Sequence, residues 1–142
     1  MDVVAEILAA RTCGVVRCGY SPGGAGVVLA AEFGLVADPA SYHEIDAATA
    51  RRLLGLVLHQ DMAYRTEIMS AARAAELADR FLASFGTDGV HYFTNADFGA
   101  RADPAFTLSS FGWNPVTAAT FDTGVLVVGP RRCGCLWVED ED

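Results

Sequence analysis

Three segments of the chain carry apolar residues at the three-to-four-residue spacing of an amphipathic helix. The first follows Asp2 and stops before Gly14, the second runs from Asp46 to about Gln60, and the third follows Ser70. Asp and Ser are favoured helix N-caps, and glycine commonly follows a helix C-terminus. The pattern therefore predicts three helices.

The spacing changes to an alternation of two in the second half of the chain. "VHYFT" at 90–94 predicts one strand, and "TGVLVVGPRRCGCLWV" at 123–138 predicts two strands joined by a short turn at 129–132. Two β-prone runs around the turn residues 21–24 predict an earlier hairpin. Because helices precede most strands, we predict an α+β fold, with about three helices packed on a mainly antiparallel sheet ending in a C-terminal β-hairpin.

Length and composition indicate one ordered domain. The 142 residues are 52% hydrophobic and 20% charged, and no linker or repeat divides the chain, so we predict a single α+β domain over 1–142. No run approaches 18 apolar residues, and Asp2 and Glu6 stand where a secretory signal would be basic. We therefore expect a cytoplasmic protein with no membrane partner.

The net charge of −8 bears on the choice of partner. All ten basic residues are arginine. A nucleic-acid backbone is bound mainly through cationic side chains, so an acidic protein is not expected to bind nucleic acid. A basic protein is the natural complement, because opposite potentials speed and orient encounter.

Metal and catalytic signatures are weak. Cys13 and Cys18 form C-x4-C and Cys133 and Cys135 form C-x-C, which do not make a matched zinc-site pattern. We predict reduced thiols, no metal site and no cofactor. No nucleophile motif is present, which favours a protein that is not an enzyme but leaves a catalytic function open.

A minority hypothesis remains for the "HQD" segment. His59 and Asp61 could form a base and its orienting carboxylate, or two ligands of one metal ion, which requires that the helix end by Gln60. The alternative function is therefore a small enzyme or ligand-binding domain with a site near His59 and Asp61, and Cys18 would be tested with them.

The last strand runs directly into four acids, Glu139, Asp140, Glu141 and Asp142. A solvated tail is one interpretation. The acids follow Trp137 without a spacer, however, so they could instead form a fixed anionic edge. The preceding segment, 95–121, lacks a clear period and is rich in aromatic residues, including Phe111 and Trp113, that must pack inward or face a partner.

Several stretches together suggest a class of protein. The run from "YFTN" through "WNP", "ATFDTGV" and "GCLWVEDED", with "HQDMAY" upstream, resembles small bacterial immunity proteins that neutralise a cognate toxin domain. The resemblance implies a cytosolic domain that occludes a basic toxin, often by placing acids over the toxin's active site, and it carries over no catalytic residues. A homodimer that buries the aromatic segment is a further alternative. The partner-binding residues that we predict are Trp113, Phe111, Asp122, Glu139, Asp140, Glu141 and Asp142.

Overall fold

The architecture is taken from a computed structural model that describes residues 2–22, 26–97 and 112–141. Within these residues the fold is α+β, as predicted, with three α-helices, two 3-10 helices and a five-stranded antiparallel sheet. None of the helices in these ranges has the length and apolar character needed to cross a membrane.

The three predicted α-helices form where their caps indicated. Helix α1 spans Val3–Ala10, α2 spans Ala47–His59 and α3 spans Ala71–Ala83. In each, the residue before the helix accepts a hydrogen bond from a first-turn backbone amide, and these capping residues are Asp2, Asp46 and Ser70. Each cap satisfies an amide that would otherwise lack a helical partner.

One salt-bridge network ties α1 to α3. The Glu6 carboxylate accepts hydrogen bonds from Arg73 and Arg80, and Glu76 also contacts both arginines. The hydrogen bond from Arg80 lowers the pKa of Glu6 to about 2, with Arg73 adding to the effect and burial opposing it. The Glu6 carboxylate is therefore ionised well above pH 2, and at neutral pH it carries the charge that the two arginines bind.

The sheet has the strand order β1-β7-β6-β3-β2. The long strands are β1 (Val15–Pro22), β6 (Phe121–Val128) and β7 (Arg132–Asp140), and the shorter ones are β2 (His43–Ile45) and β3 (His91–Thr94). The predicted hairpin of β6 and β7 forms the centre of the sheet, as its two apolar faces suggested. Strand β1 lies at one edge and pairs antiparallel with β7.

The earlier hairpin that the sequence predicted does not form. Its first run is β1, but the second run is a 3-10 helix over Gly26–Phe33. This helix buries Leu29 and Ala30 against the sheet. Because β1 already occupies the edge beside β7, the second run packs on the face of the sheet. This packing overrides the β-propensity of its valines.

Both faces of the central hairpin are covered. Leu136, Val138, Val125 and Val127 pack against the three α-helices on one face. On the other face, Trp137, Cys135 and Leu126 pack with the first 3-10 helix, Tyr42 and Val116. The two strands approach so closely that a Cβ on Gly124 would lie 2.1 Å from the Leu136 carbonyl oxygen. Because one face is covered by the α-helices and the other by the first 3-10 helix, the sheet is the middle layer of three.

The segment between β3 and β6 begins and ends with a short antiparallel pair, β4 (Ala96–Asp97) and β5 (Gly112–Trp113). The side chain of Asn95 donates to the Asn114 and Asp122 carbonyl oxygens, which ties the start of this segment to its end. Its central part, 98–111, lies outside the described residues.

Candidate protein-binding site

Asp140, predicted as an exposed binding residue, lies inside the protein. Its carboxylate accepts two hydrogen bonds from Arg11, at 3.0 Å from Nη1 and 2.8 Å from Nη2. The Met62 backbone amide donates a third at 2.8 Å. Arg11 also donates to the Val57 and Cys13 carbonyl oxygens. Since the side chains of Arg11 and Asp140 are 0% and 1% exposed, this is a buried ion pair in which each side-chain nitrogen of Arg11 donates at least one hydrogen bond.

The neighbouring acids are held in different ways. Glu139 accepts hydrogen bonds from Arg17 Nε at 3.2 Å and Nη2 at 2.9 Å and is largely buried. Glu141 is exposed and accepts from the backbone amide and hydroxyl of Thr120. Asp142 lies outside the described residues. Glu139, Asp140 and Glu141 are therefore held by hydrogen bonds, but Glu139 and Asp140 are neutralised by arginines.

Asp122 is the centre of a buried polar network. Its carboxylate accepts from Asn95 Nδ2 at 2.9 Å, from Trp137 Nε1 at 3.2 Å, and from the amides of Val116 and Thr117 at 3.3 Å. The residue is 0% exposed. These bonds join both ends of the segment between β3 and β6 to the central strands.

The anionic face expected from the sequence accordingly includes neither Asp122 nor Asp140. Both carboxylates are buried and take their hydrogen bonds from within the domain. The physical reason is long-range pairing: Arg11 lies 129 residues before Asp140 in the chain. A run of acids in sequence does not reveal such a partner.

The aromatic part of the predicted site is partly described. Trp113 is half-buried, and its ring lies 5.4 Å from that of Phe121 at an interplanar angle of 39°. Phe121 is the register partner of Asp140 on the adjacent strand. Through Phe121, Trp113 therefore lies at the end of the sheet where β7 reaches Asp140. Phe111 lies outside the described residues.

A further aromatic residue at this end of the sheet was not predicted. Tyr64 is 68% exposed and lies two residues after Met62, whose amide binds Asp140. The spacing of apolar residues does not indicate Tyr64 as a helix or strand residue, because Tyr64 lies in a turn. Because the Met62 amide binds Asp140, the register partner of Phe121, the Tyr64 turn lies at the same end of the sheet, and we call Tyr64, Trp113, Phe121 and Glu141 at this end the aromatic rim.

The turn that carries Tyr64 is held from inside by Asp61. Both carboxylate oxygens of Asp61 are used, one by the Tyr64 amide at 2.7 Å and the other by the Thr66 amide at 2.8 Å. Burial raises the pKa of Asp61, but these hydrogen bonds outweigh it and lower the pKa below its ordinary value. Asp61 thus works as a turn-forming carboxylate.

His59 is not among the hydrogen-bond partners of Asp61 in this turn. Helix α2 does end at His59, with Gln60 as its C-cap, as the metal or base hypothesis required. However, His59 Nδ1 lies 2.7 Å from the Met69 carbonyl oxygen.

Burial raises the pKa of the Cys18 thiol to about 12, which disfavours the reactive thiolate. The three residues proposed for chemistry thus show no nucleophile and base arrangement in these contacts.

A cavity of about 590 Å³ lies along the outer side of α2 and α3. Gly55, Leu56 and Ala75 contribute small or apolar groups to its wall, and Arg51 and His59 contribute polar ones. A Cβ on Gly55 would have no atom within 4 Å, so the groove is open at that point. Asp61 is not among its lining residues.

Within the described ranges, no three His, Cys, Asp or Glu side chains are grouped so that they could hold a metal ion. Comparison of the chain with protein-family models, with curated proteins and with solved structures gives no match. The protein is therefore classed by its own fold and candidate site, as a three-layer α+β domain with an aromatic rim at one end of its sheet.

Proposed function

We propose that this protein is an immunity-type inhibitor, which binds a cognate bacterial toxin domain through the aromatic rim and occludes it. The observation that carries the proposal is the position of Tyr64, which is 68% exposed on a turn fixed by Asp61. Tyrosine and tryptophan are enriched among the residues that dominate protein-protein binding energy. Trp113 and Phe121 extend the same end of the sheet.

Rigidity supports this assignment. The buried pair of Arg11 and Asp140 joins α1, β7 and the start of the Tyr64 turn through the Met62 amide. A contact surface that is already ordered loses less conformational entropy on binding. In this proposal Asp140 acts as a positioning residue for the rim, and it does not contact the toxin.

The electrostatic contribution is assigned to fewer acids than the sequence suggested. Glu139 and Asp140 have arginine partners, so they add little net field. Glu141 and Glu67 are exposed, the latter in the same loop as Tyr64. Together with the net charge of −8 they favour a basic toxin.

The direct test is binding to the toxin domain encoded by the adjacent gene, measured by calorimetry with the wild-type protein and single variants. We expect Tyr64→Ala to weaken binding by about 2 kcal/mol or more, as for an anchor residue. Val28→Ala is the matched control. Val28 is also exposed, at 58%, but it lies on the first 3-10 helix, which covers the sheet face that the α-helices leave free and is not part of the aromatic rim.

Equal affinities for Tyr64→Ala and Val28→Ala would reject the rim as the contact surface. Absence of binding and of growth protection by the wild-type protein would reject the function itself. Glu141→Gln, measured at two salt concentrations, tests the charge: we expect a weaker salt dependence than wild type.

A second candidate function is ligand binding in the groove on α2 and α3. Its volume of about 590 Å³ falls within the range of about 300–1,000 Å³ that is common for small-molecule sites, and His59 lines it. Gly55→Leu would fill the groove at a point where no neighbour is displaced. Loss of a saturable fluorescence response to anilinonaphthalene sulfonate in this variant would support the second function, and no response in wild type would reject it.

A further inference from the structure

A second cleft lies at the end of the sheet where β6 turns into β7. Its volume is about 500 Å³. Arg131 and Arg132 line it from the turn, and residues 84–88 line it from the loop that follows α3. Strand β7 runs from Arg132 at this end to Asp140 at the end with the aromatic rim, so about 27 Å separates the two. The cleft is therefore distinct from the rim.

The two arginines of the turn have no acidic partner. Arginines elsewhere in the described part of the chain form salt bridges with carboxylates, namely Arg11, Arg17, Arg51, Arg73 and Arg80. Within the same part of the chain, Arg131 and Arg132 form none, although Asp88 lines the cleft with them. A guanidinium group carries hydrogen-bond donors and no acceptor. The cleft therefore presents two cationic donor groups to a ligand that has acceptor oxygens.

The side chain of Arg132 is held in position by the protein. Its guanidinium carbon lies 3.9 Å from the centre of the Tyr20 ring, and its Nη2 donates to the Ser84 carbonyl oxygen at 2.8 Å. The Tyr20 hydroxyl in turn donates to the Ser84 hydroxyl at 2.9 Å. These contacts leave Nε and Nη1 of Arg132 without a hydrogen bond to the described residues. Because this guanidinium is already oriented, it loses less conformational entropy when it binds an anion.

The charge and the walls of the cleft indicate the class of ligand. A phosphate monoester carries up to two negative charges and three acceptor oxygens, which suit two adjacent guanidinium groups better than a single carboxylate does. Phe85 and Pro130 add apolar wall for the organic group of such an ester. The volume of about 500 Å³ also falls within the range of about 300–1,000 Å³ that is common for small-molecule sites.

The net charge of −8 does not prevent an anion from binding here. At physiological salt, exposed charges separated by more than about 8 Å are largely screened from each other. The acids at 139–141 lie at the far end of β7, so the groups that line the cleft set most of its potential. Asp88 is the acid among them, and it should weaken the binding of an anion.

We propose that this cleft binds a small organic phosphate monoester. The phosphate oxygens accept hydrogen bonds from Arg131 and Arg132, and the organic group lies against Phe85 and Pro130. Binding here does not depend on the aromatic rim or on a toxin.

Titration of the isotopically labelled full chain with phenyl phosphate, followed by amide chemical shifts, tests this site. We expect saturable shifts at 84–88 and 130–132, in the millimolar range or tighter. Inorganic phosphate should bind more weakly, because it has no organic group to contact Phe85 and Pro130. Benzenesulfonate should also bind more weakly, because it has the same ring but only one negative charge.

Three single variants test the charges of the cleft. Arg131→Gln should weaken the binding of phenyl phosphate by about tenfold or more, because it removes a charged hydrogen-bond donor. Asp88→Asn should strengthen it by about two- to fivefold, because it removes a repelling charge at the surface. Arg65→Gln is the matched control: Arg65 is also exposed and also lacks a salt bridge within the described residues, but it lies beside Tyr64 at the aromatic rim.

Shifts that stay linear through tens of millimolar phenyl phosphate, or saturable shifts at other residues alone, would overturn the site. Equal weakening by Arg131→Gln and Arg65→Gln would do the same, since the net charge alone would then explain the effect. Benzenesulfonate binding as tightly as phenyl phosphate would rule out selection of a phosphate. Inorganic phosphate binding as tightly as phenyl phosphate would rule out the contact with the organic group.

Discussion

Replacing Asp140 with asparagine should destabilise the protein strongly. The carboxylate balances the charge of Arg11, whose side chain is 0% exposed, and it accepts three hydrogen bonds in all. Asparagine nearly preserves the volume, but it removes the negative charge and leaves the guanidinium unpaired in the interior. Water cannot readily solvate Arg11, because Arg11 is enclosed beneath α2, where its Nε binds Val57.

The size of the effect follows from the burial. Removing one partner of a buried ion pair costs about 3–5 kcal/mol, a large part of the total stability of about 5–15 kcal/mol that is common for domains. With an unfolding entropy of about 2.1 cal/mol/K per residue over 142 residues, 1 kcal/mol corresponds to about 3 °C. We therefore expect the Tm to fall by about 10–17 °C.

Glu139→Gln is the matched control for Asp140→Asn, because Glu139 adjoins Asp140 and also pairs with an arginine. Arg17 in that pair is 33% exposed, so the loss should be about 1 kcal/mol or less. Urea unfolding followed by circular dichroism gives both free energies. The double variant Arg11→Met, Asp140→Leu should be more stable than the sum of the single losses implies. A loss below about 1 kcal/mol for Asp140→Asn would refute the structural role.

Three further predictions concern the backbone, pH and thiols. Gly55→Ala should stabilise the protein by about 0.5–1 kcal/mol, because the added Cβ meets nothing within 4 Å. In contrast, Gly124→Ala should prevent stable folding, since its Cβ would lie 2.1 Å from the backbone of β7; thermal melts compare the two, and equal Tm values would contradict the packing argument. The pKa of Glu6 is lowered to about 2 by the hydrogen bond from Arg80, so its contribution to stability is present above its unfolded pKa, about 4.3, and is lost as the pH falls toward 2. Glu6→Gln should flatten the pH dependence of stability in that window, and an unchanged profile would count against the network. Ellman's reagent at pH 8 should react quickly with the exposed Cys13, and Cys13→Ser should abolish this phase; fast reaction of Cys133 and Cys135 would contradict their burial.

The sequence by itself determined the local elements. Caps at Asp2, Asp46 and Ser70 and the helical spacing of apolar residues were enough to place all three α-helices. The two-sided apolar character of β6 and β7 correctly indicated a central hairpin. These features depend on residues close together in the chain, so a single sequence displays them.

Tertiary structure alone decided what happened to the polar groups and to the edge of the sheet. The sequence presented Asp140 and Asp122 as acids near a strand end, but contacts with Arg11, Asn95 and Trp137 bury them. It also suggested a second β-prone run after the turn at 21–24, but a 3-10 helix over Gly26–Phe33 forms there and covers the second face. Pairings across more than 100 residues depend on the assembled fold, because burial and hydrogen-bond partners are properties of neighbours in space.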